Sequence, residues 1–282
     1  MTFLASPALA LILAVLAAPA AAQTVRIDTA GGPADAPHLP ARIAVYDVAA
    51  IDTLDALGVK AAGVPSPMYL PRLDGAVEDA ARIGTLFEPD LEAVNALAPD
   101  LIIVGGRSAA AADALRPFGP VIDMSIWGED LTDVAIARIR AYGAIFDKGP
   151  EADALIADLR ARIAAAHNAA EGQGTALIVL ANGPKISVFG PKSRFGWVHG
   201  AVGLAPAAEE LDDAAHGRAV SFEFLLEVNP DWLIVIDRGA ATGAAGAGAR
   251  ATLSNEIVAR TKAWQAGHVI YLDPSEVYIS GG

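Results

Sequence analysis

Residues 91–107 read LEAVNALAPDLIIVGGR, and residues 222–238 read FEFLLEVNPDWLIVIDR. A shift of 131 positions lays Glu92 on Glu223, Pro99 on Pro230, Asp100 on Asp231 and Arg107 on Arg238. Each copy opens on a short amphipathic helix (Leu91, Val94, Leu97; Phe222, Leu225, Leu226). A Pro-Asp pair then ends it, because proline has no N–H to donate and drives the residue before it out of helical backbone. A continuous apolar run follows, Leu101–Val104 or Trp232–Ile236, as suits a parallel strand buried on both faces. An arginine stands just past each run, at the strand end where open α/β sheets bind ligands. Helix–Pro-Asp–strand is a common α/β join, but two copies with matched arginines predict two similar α/β lobes that share a ligand cleft.

The bulk properties narrow the field. The chain has 282 residues, 54% apolar and 19% charged, enough for two lobes of about 100–150 residues, each with its own core. A net charge of −13 argues against nucleic acid or an anionic membrane surface as partner. An anionic ligand would need local arginines to overcome that field. With no cysteine, disulfides, thiolate metal sites, cysteine nucleophiles and a lipidated N-terminal cysteine are excluded.

Residues 1–22 read as a cleaved signal peptide: an apolar run from Leu4 to Leu16, then Ala20-Ala21-Ala22 before Gln23, although no Lys or Arg precedes the run. The run is too short for a membrane span. No other segment could cross a bilayer, so the expectation is an exported protein that resides in the periplasm.

In the mature chain, Gln23–Pro40 reads as a polar leader, loop and partly strand. The first lobe is expected over residues 23–148. Two long helical patterns, Asp130–Phe146 and Glu151–Ala170, meet at Gly149-Pro150. They read as a rigid connection, with residues 149–172 the connecting helix and residues 173–282 the second lobe. In the second lobe a hairpin turns at Asn182-Gly183, Phe195–Gly203 is expected to be helical, Ala240–Ala249 a flexible Gly/Ala-rich loop, and Asn255–Gln265 a helix.

Arg107, Arg194 and Arg238 are the candidate ligand-binding arginines. Arg194 lies in Phe189-Gly-Pro-Lys-Ser-Arg-Phe-Gly-Trp-Val-His199, straight after a strand. Three converging guanidinium forks would take carboxylates, catecholates or another compact polyanion; singly, each arginine reads equally well as a surface salt bridge. His216, in the polar run Asp212-Asp213-Ala-Ala-His216-Gly217, and Tyr278 are of types that ligate ferric iron, although spacing alone favours a solvated histidine and a packed tyrosine. The remaining histidines show no metal-ligand spacing. G-x-S-x-G, H-E-x-x-H, G-x-x-x-x-G-K-[ST] and strand-linked G-x-G-x-x-G patterns are absent, which argues against an enzyme.

Several strings resemble one family. Val48-Ala-Ala-Ile-Asp52-Thr-Leu-Asp-Ala-Leu-Gly58, Val64-Pro65, Tyr69-Leu-Pro71 and Ile83-Gly84-Thr-Leu-Phe87-Glu88-Pro89-Asp90 are similar to the periplasmic substrate-binding proteins of ABC transporters for iron–siderophore complexes. The nearest branch is the FatB-like group, which takes catecholate and mixed catecholate–carboxylate siderophores. The resemblance runs from residue 43 to residue 282. It implies two α/β lobes joined by a long helix, with limited hinge motion, the helical-backbone substrate-binding protein fold. It also implies that Arg107, Arg194 and Arg238 are cleft arginines, that His216 and Tyr278 complete the iron coordination of tetradentate siderophores, and that Glu92 and Glu223 dock on an inner-membrane permease dimer. Trp197 and Tyr69 are added as cleft-lining residues.

The expectation is therefore a monomeric, non-catalytic receptor with no intrinsic cofactor, whose cargo is ferric iron held in a siderophore. A receptor for haem, cobalamin or another metal chelate is the alternative within binding proteins, and an exported α/β hydrolase the alternative outside them. Family members continue past the region of Tyr278 into a C-terminal helix. This chain stops at Gly282, so the expectation is either that the helix is absent, its loss exposing apolar surface on the second lobe and loosening Tyr278, or that the sequence is a fragment.

Overall fold

The computed structural model describes residues 23–127, 130–208, 211, 217–244, 246 and 248–281. The expected signal peptide lies outside them. The chain opens on β1 (Thr24–Thr29) and β2 (Gly32–Pro37), paired antiparallel from Thr24↔Pro37 to Thr29↔Gly32. The polar leader is thus a full hairpin. Its alternation explains the difference, because Ile27 and Ala36 are buried against the first lobe while their neighbours face water.

The first lobe comprises β3 (Ile43–Val45), α1 (Val48–Ala56), β4 (Gly63–Val64), β5 (Ala81–Arg82), α2 (Leu91–Leu97), β6 (Leu101–Val104), α3 (Ala112–Leu115) and β7 (Val121–Asp123). Its five strands are all parallel, in the order β5-β4-β3-β6-β7. Then α4 (Leu131–Ile145) packs on α5 (Gly149–Ala170), the long helix that leads into the second lobe.

The second lobe contains β8 (Thr175–Asn182), β9 (Lys185–Phe189), α6 (Trp197–Gly200), β10 (Ala205–Pro206), β11 (Arg218–Val220), α7 (Phe222–Val228), β12 (Trp232–Asp237), α8 (Arg238–Thr242), α9 (Ala249–Leu253), α10 (Lys262–Ala266) and β13 (Val269–Tyr271). Its sheet runs β11-β9-β8-β12-β13, with β10 also beside β8. Strands β8, β12 and β13 are parallel, while β9 turns back antiparallel. The protein is therefore two α/β lobes joined by a long helix.

The repeat survives in three dimensions. Helices α2 and α7 both end on a left-handed residue, Ala98 at φ 47° and Asn229 at φ 47°. In β6, Leu101 and Ile103 pack into one core cluster, and Ile102 and Val104 into another. In β12, Leu233 and Val235 face one cluster, and Ile234 and Ile236 the other. Each strand is buried on both sides, which is why its sequence runs apolar without alternation. Burying each such side chain stabilises the fold by about 1.5–3 kcal/mol.

The paired aspartates also share one task. Asp100 Oδ2 accepts the N–H groups of Ala41 and Arg42, at 3.0 and 2.9 Å. Asp231 Oδ2 accepts the N–H and hydroxyl of Thr175, at 2.9 and 3.1 Å. Each staples the start of the neighbouring parallel strand, β3 or β8.

Three expected elements differ. Phe195–Gly203 forms only the single turn α6 before Gly203 adopts φ +85°, a backbone that ends right-handed helix. The Gly/Ala-rich stretch is not all loop, because Asp237 organises it: Oδ1 accepts from Ala240 N–H at 3.0 Å and Oδ2 from Ala249 N–H at 2.6 Å. Asn255–Gln265 is interrupted at Thr261, whose side chain caps α10 by accepting from Trp264 N–H.

The two staples predict a pH response. Burial opposes ionisation of Asp100, but the N–H groups of Arg42 and Ala41 and the Arg42 guanidinium outweigh it and lower its pKa. Asp231 is lowered by Thr175 first, and further by Lys262 and His268. A carboxyl with a folded pKa below its unfolded value of about 3.9 stabilises the fold above that pH and loses the contribution as pH falls through the folded value. Asp100→Asn and Asp231→Asn are expected to lower Tm at pH 7, with the deficit against wild type shrinking below about pH 4. Thermal scans across pH 2.5–7 check this, and a deficit independent of pH would rule it out.

Candidate functional site

Four side chains from distant parts of the sequence meet between the lobes. Arg107 follows β6 in a 3-10 turn, Gly106–Ala111. Arg238 is the first residue of α8, directly after β12. Arg194 belongs to the loop after β9. Tyr278 belongs to a C-terminal helical turn, Ser275–Ser280.

Tyr278 is the hub. Arg107 donates from Nη2 to the Tyr278 carbonyl at 2.5 Å and from Nη1 to the Ile279 carbonyl at 3.0 Å. Arg194 Nη2 donates to the same Tyr278 carbonyl at 2.8 Å. Arg238 Nε donates to the Tyr278 hydroxyl at 2.9 Å, and its Nη1 to Asn182 Oδ1 at 3.2 Å. The three guanidinium carbons stand 5.1, 5.1 and 5.9 Å from the centre of the Tyr278 ring, within cation–π reach. The two carbonyls belong to the last turn of a helical segment, where intrahelical partners are missing.

The electrostatics are unbalanced. Among the described residues, none of the three arginines forms an ion pair with a carboxylate. One neutral carbonyl shared by two guanidiniums cannot cancel their charge. Burial, reinforced by the charge of Arg107, pulls the Arg194 pKa down to about 10, with Tyr278 acting in the opposite sense. Such a site gains by accepting anionic oxygens.

A second layer holds Arg107 in place, and the sequence pattern did not reveal it. Ser108 Oγ bonds both the N–H and the carbonyl of Gly105. Ser125 Oγ accepts from Gly106 N–H at 2.8 Å and donates to Asp123 Oδ1 at 2.6 Å. A Cβ on Gly105 would lie 2.7 Å from Asp47 Oδ2, so the turn passes this carboxyl only as glycine. Burial pushes the Asp47 pKa up to about 6, against the pull of the Ala49 and Ala50 N–H groups and of Arg107. Asn182 was legible only as a turn residue.

The other expected residues are dispersed. Tyr69 is partly exposed, at φ +59°, on the loop after β4. Trp197 is half-buried against the second-lobe cluster that contains Phe189, Phe195 and Val198. His216 lies outside the described residues. Glu92 and Glu223 are exposed in the first turns of α2 and α7. Each helix runs back along its lobe into the following strand, so both first turns lie toward the strand ends that carry Arg107 and Arg238.

Among the described residues no group of three His, Asp or Glu side chains is arranged to hold a metal ion, and no helix is long and apolar enough to cross a membrane. A depression of about 330 Å³ lies at the opposite, amino end of β8 and β12. It offers one lysine beside Asp231 and no converging charge, so the arginine cluster is the better candidate despite being filled by Tyr278.

Comparison with known proteins gives the same architecture. A family model described as periplasmic binding protein matches residues 43–276. The chain is 36% identical over 252 residues to the petrobactin-binding protein YclQ of Bacillus subtilis, covering 87% of this chain and 78% of that one. It is 30% identical over 249 residues to the ferric-anguibactin-binding protein FatB of Vibrio anguillarum, covering 86% and 77%. The crystal structure of a TroA-like periplasmic binding protein from Xylanimonas cellulosilytica superposes with a TM-score of 0.83 at 38% identity, over 92% of this chain and 93% of that one. Two lobes, a long joining helix and a family model that spans most of the sequence together establish that the chain belongs to the periplasmic binding protein family, whose members bind ligands and are not enzymes.

Proposed function

We propose that the protein is the periplasmic receptor for a ferric siderophore, of the anionic catecholate type, and that it delivers this cargo to an ABC importer. One observation carries the reading. Three arginines without carboxylate partners among the described residues converge on Tyr278, in a chain whose net charge is −13. A polyanion is the ligand that this local reversal of charge serves. The siderophores named for YclQ and FatB add support from relatives.

Arg107, Arg194 and Arg238 neutralise the complex. Tyr278 ligates or contacts the iron where the siderophore leaves coordination open. Arg238 already donates to its hydroxyl oxygen, which fixes where that oxygen stands. His216 is assigned as the second iron-facing residue, and Tyr69 and Trp197 as further lining of the cleft. Iron enters as cargo, with most of its ligands supplied by the siderophore.

We assign residues 1–22 as the signal peptide, 23–148 and 173–282 as the lobes and 149–172 as the connecting helix of a monomer. Glu92 and Glu223 stand one per lobe at repeat-equivalent positions, as contact with a two-fold permease requires.

Tryptophan quenching by ferric bis- and tris-catecholate complexes, with haem and cobalamin as controls, tests the reading. Saturable quenching by the catecholates alone is expected. Arg107→Ala should weaken it about 10- to 100-fold, the loss of a charge-assisted hydrogen bond of about 1.5–3 kcal/mol. Equal affinity for cobalamin, or no effect of Arg107→Ala, would overturn the assignment. A charge-transfer band seen with the bis-catecholate and lost in Tyr278→Phe and His216→Ala is the expected mark of direct ligation.

For the glutamates, Glu92→Ala with Glu223→Ala should abolish siderophore-dependent growth or uptake in cells while leaving solution affinity unchanged. Normal uptake would remove them from the docking surface.

A further inference from the structure

Arg72 stands outside the arginine cluster, yet it joins the two halves of the cleft. It lies in the 3-10 turn Pro71–Leu73, three residues after Tyr69. Its guanidinium grips Asp52 of α1 through Nη1 and Nη2, both at 2.6 Å. It also grips Glu276 of the C-terminal turn, through Nε at 2.6 Å and Nη2 at 2.8 Å. Asp52 and Arg72 belong to the first lobe. Glu276 comes after the last strand of the second lobe, two residues before Tyr278.

We propose that Arg72 is a positioning residue for the ligand cleft: by holding Asp52 and Glu276 in one fork it fixes the Tyr278-bearing turn of the second lobe against the Tyr69-bearing loop of the first. The inference rests on the reading of this cleft as the ligand site.

Three features separate this contact from an ordinary surface pair. An isolated exposed pair contributes little, whereas bidentate guanidinium–carboxylate pairs joined in a network contribute more, and here both carboxylates are held in bidentate fashion. The carboxylates sit on elements that touch, since α1 packs against the C-terminal turn. Without Arg72, Asp52 and Glu276 would face each other as like charges, so its loss converts attraction across the cleft into repulsion. At the start of the turn, Asp273 Oδ1 accepts from Ser275 and Glu276 N–H, a contact within the same segment. The side chains of Arg72, Asp52 and Glu276 are 45%, 32% and 34% exposed, so salt can screen the clamp.

The experiment compares wild type, Arg72→Met, Arg72→Lys, Glu276→Gln and the double variant Arg72→Met/Glu276→Gln. In each, hydrogen exchange of the amides of residues 273–281 is measured without ligand, and affinity is measured for a ferric bis-catecholate complex. Arg72→Met and Glu276→Gln should each speed exchange in this turn several-fold and weaken the probe about tenfold, with the double variant no weaker than the weaker single. Arg72→Lys keeps the charge but not the fork and should recover only part of the loss. Added salt should speed exchange of the turn in wild type more than in the double variant.

Unchanged exchange in Glu276→Gln would overturn the proposal. So would additive losses, or a loss of affinity in Arg72→Met with none in Glu276→Gln, which would make Arg72 a direct ligand contact. If wild type binds no catecholate, the siderophore reading falls, while the exchange measurement alone still decides whether the clamp exists.

Discussion

Three cleft arginines that, among the described residues, form no ion pair with a carboxylate are the constraint around which the two lobes are arranged. Arg107, Arg194 and Arg238 come from three separate segments, and each would be more comfortable beside a carboxylate. They are gathered on the backbone and hydroxyl of one tyrosine instead. That arrangement costs folding energy, visible in the lowered pKa of Arg194. The rest of the protein keeps it in place: parallel strands fix where the loops start, Ser108 and Ser125 brace the Arg107 turn, and the C-terminal turn supplies the carbonyls and hydroxyl to which the arginines donate.

Much of this could be read from the chain itself. The two matched segments carried the helix, the Pro-Asp stop, the doubly buried strand and the arginine as one pattern, and each part has a local physical cause. The hairpin at Asn182-Gly183 and the long helix after Gly149-Pro150 were legible for the same reason. What the sequence hid depends on contacts across long distances. Ser125 and Asp123 brace Arg107 from another strand, with nothing in their neighbourhood to announce it. Asp237 holds both ends of a Gly/Ala-rich stretch that composition alone marks as loop. Thr261 breaks an apparently continuous helix by capping a new one. The partners of Arg72 lie 20 and 204 positions away.

The repeat also separates inheritance of fold from tuning of site. Asp100 and Asp231 do the same structural work in both lobes, each fastening the start of an adjacent strand. Arg107 and Arg238 occupy matched places but treat Tyr278 differently, one reaching its carbonyl and the other its hydroxyl. The scaffold residues have kept symmetry, and the cleft residues have divided the labour.

The first lobe's apolar core includes two residues from the second lobe's part of the chain, Ala241 after β12 and Ile279 after β13. Pulling the lobes apart would bring that surface into water, at roughly 25 cal/mol for every Å² exposed. Wide opening of the cleft is therefore opposed by apolar contact that the two lobes share, much as two cupped hands joined at the wrist resist being spread.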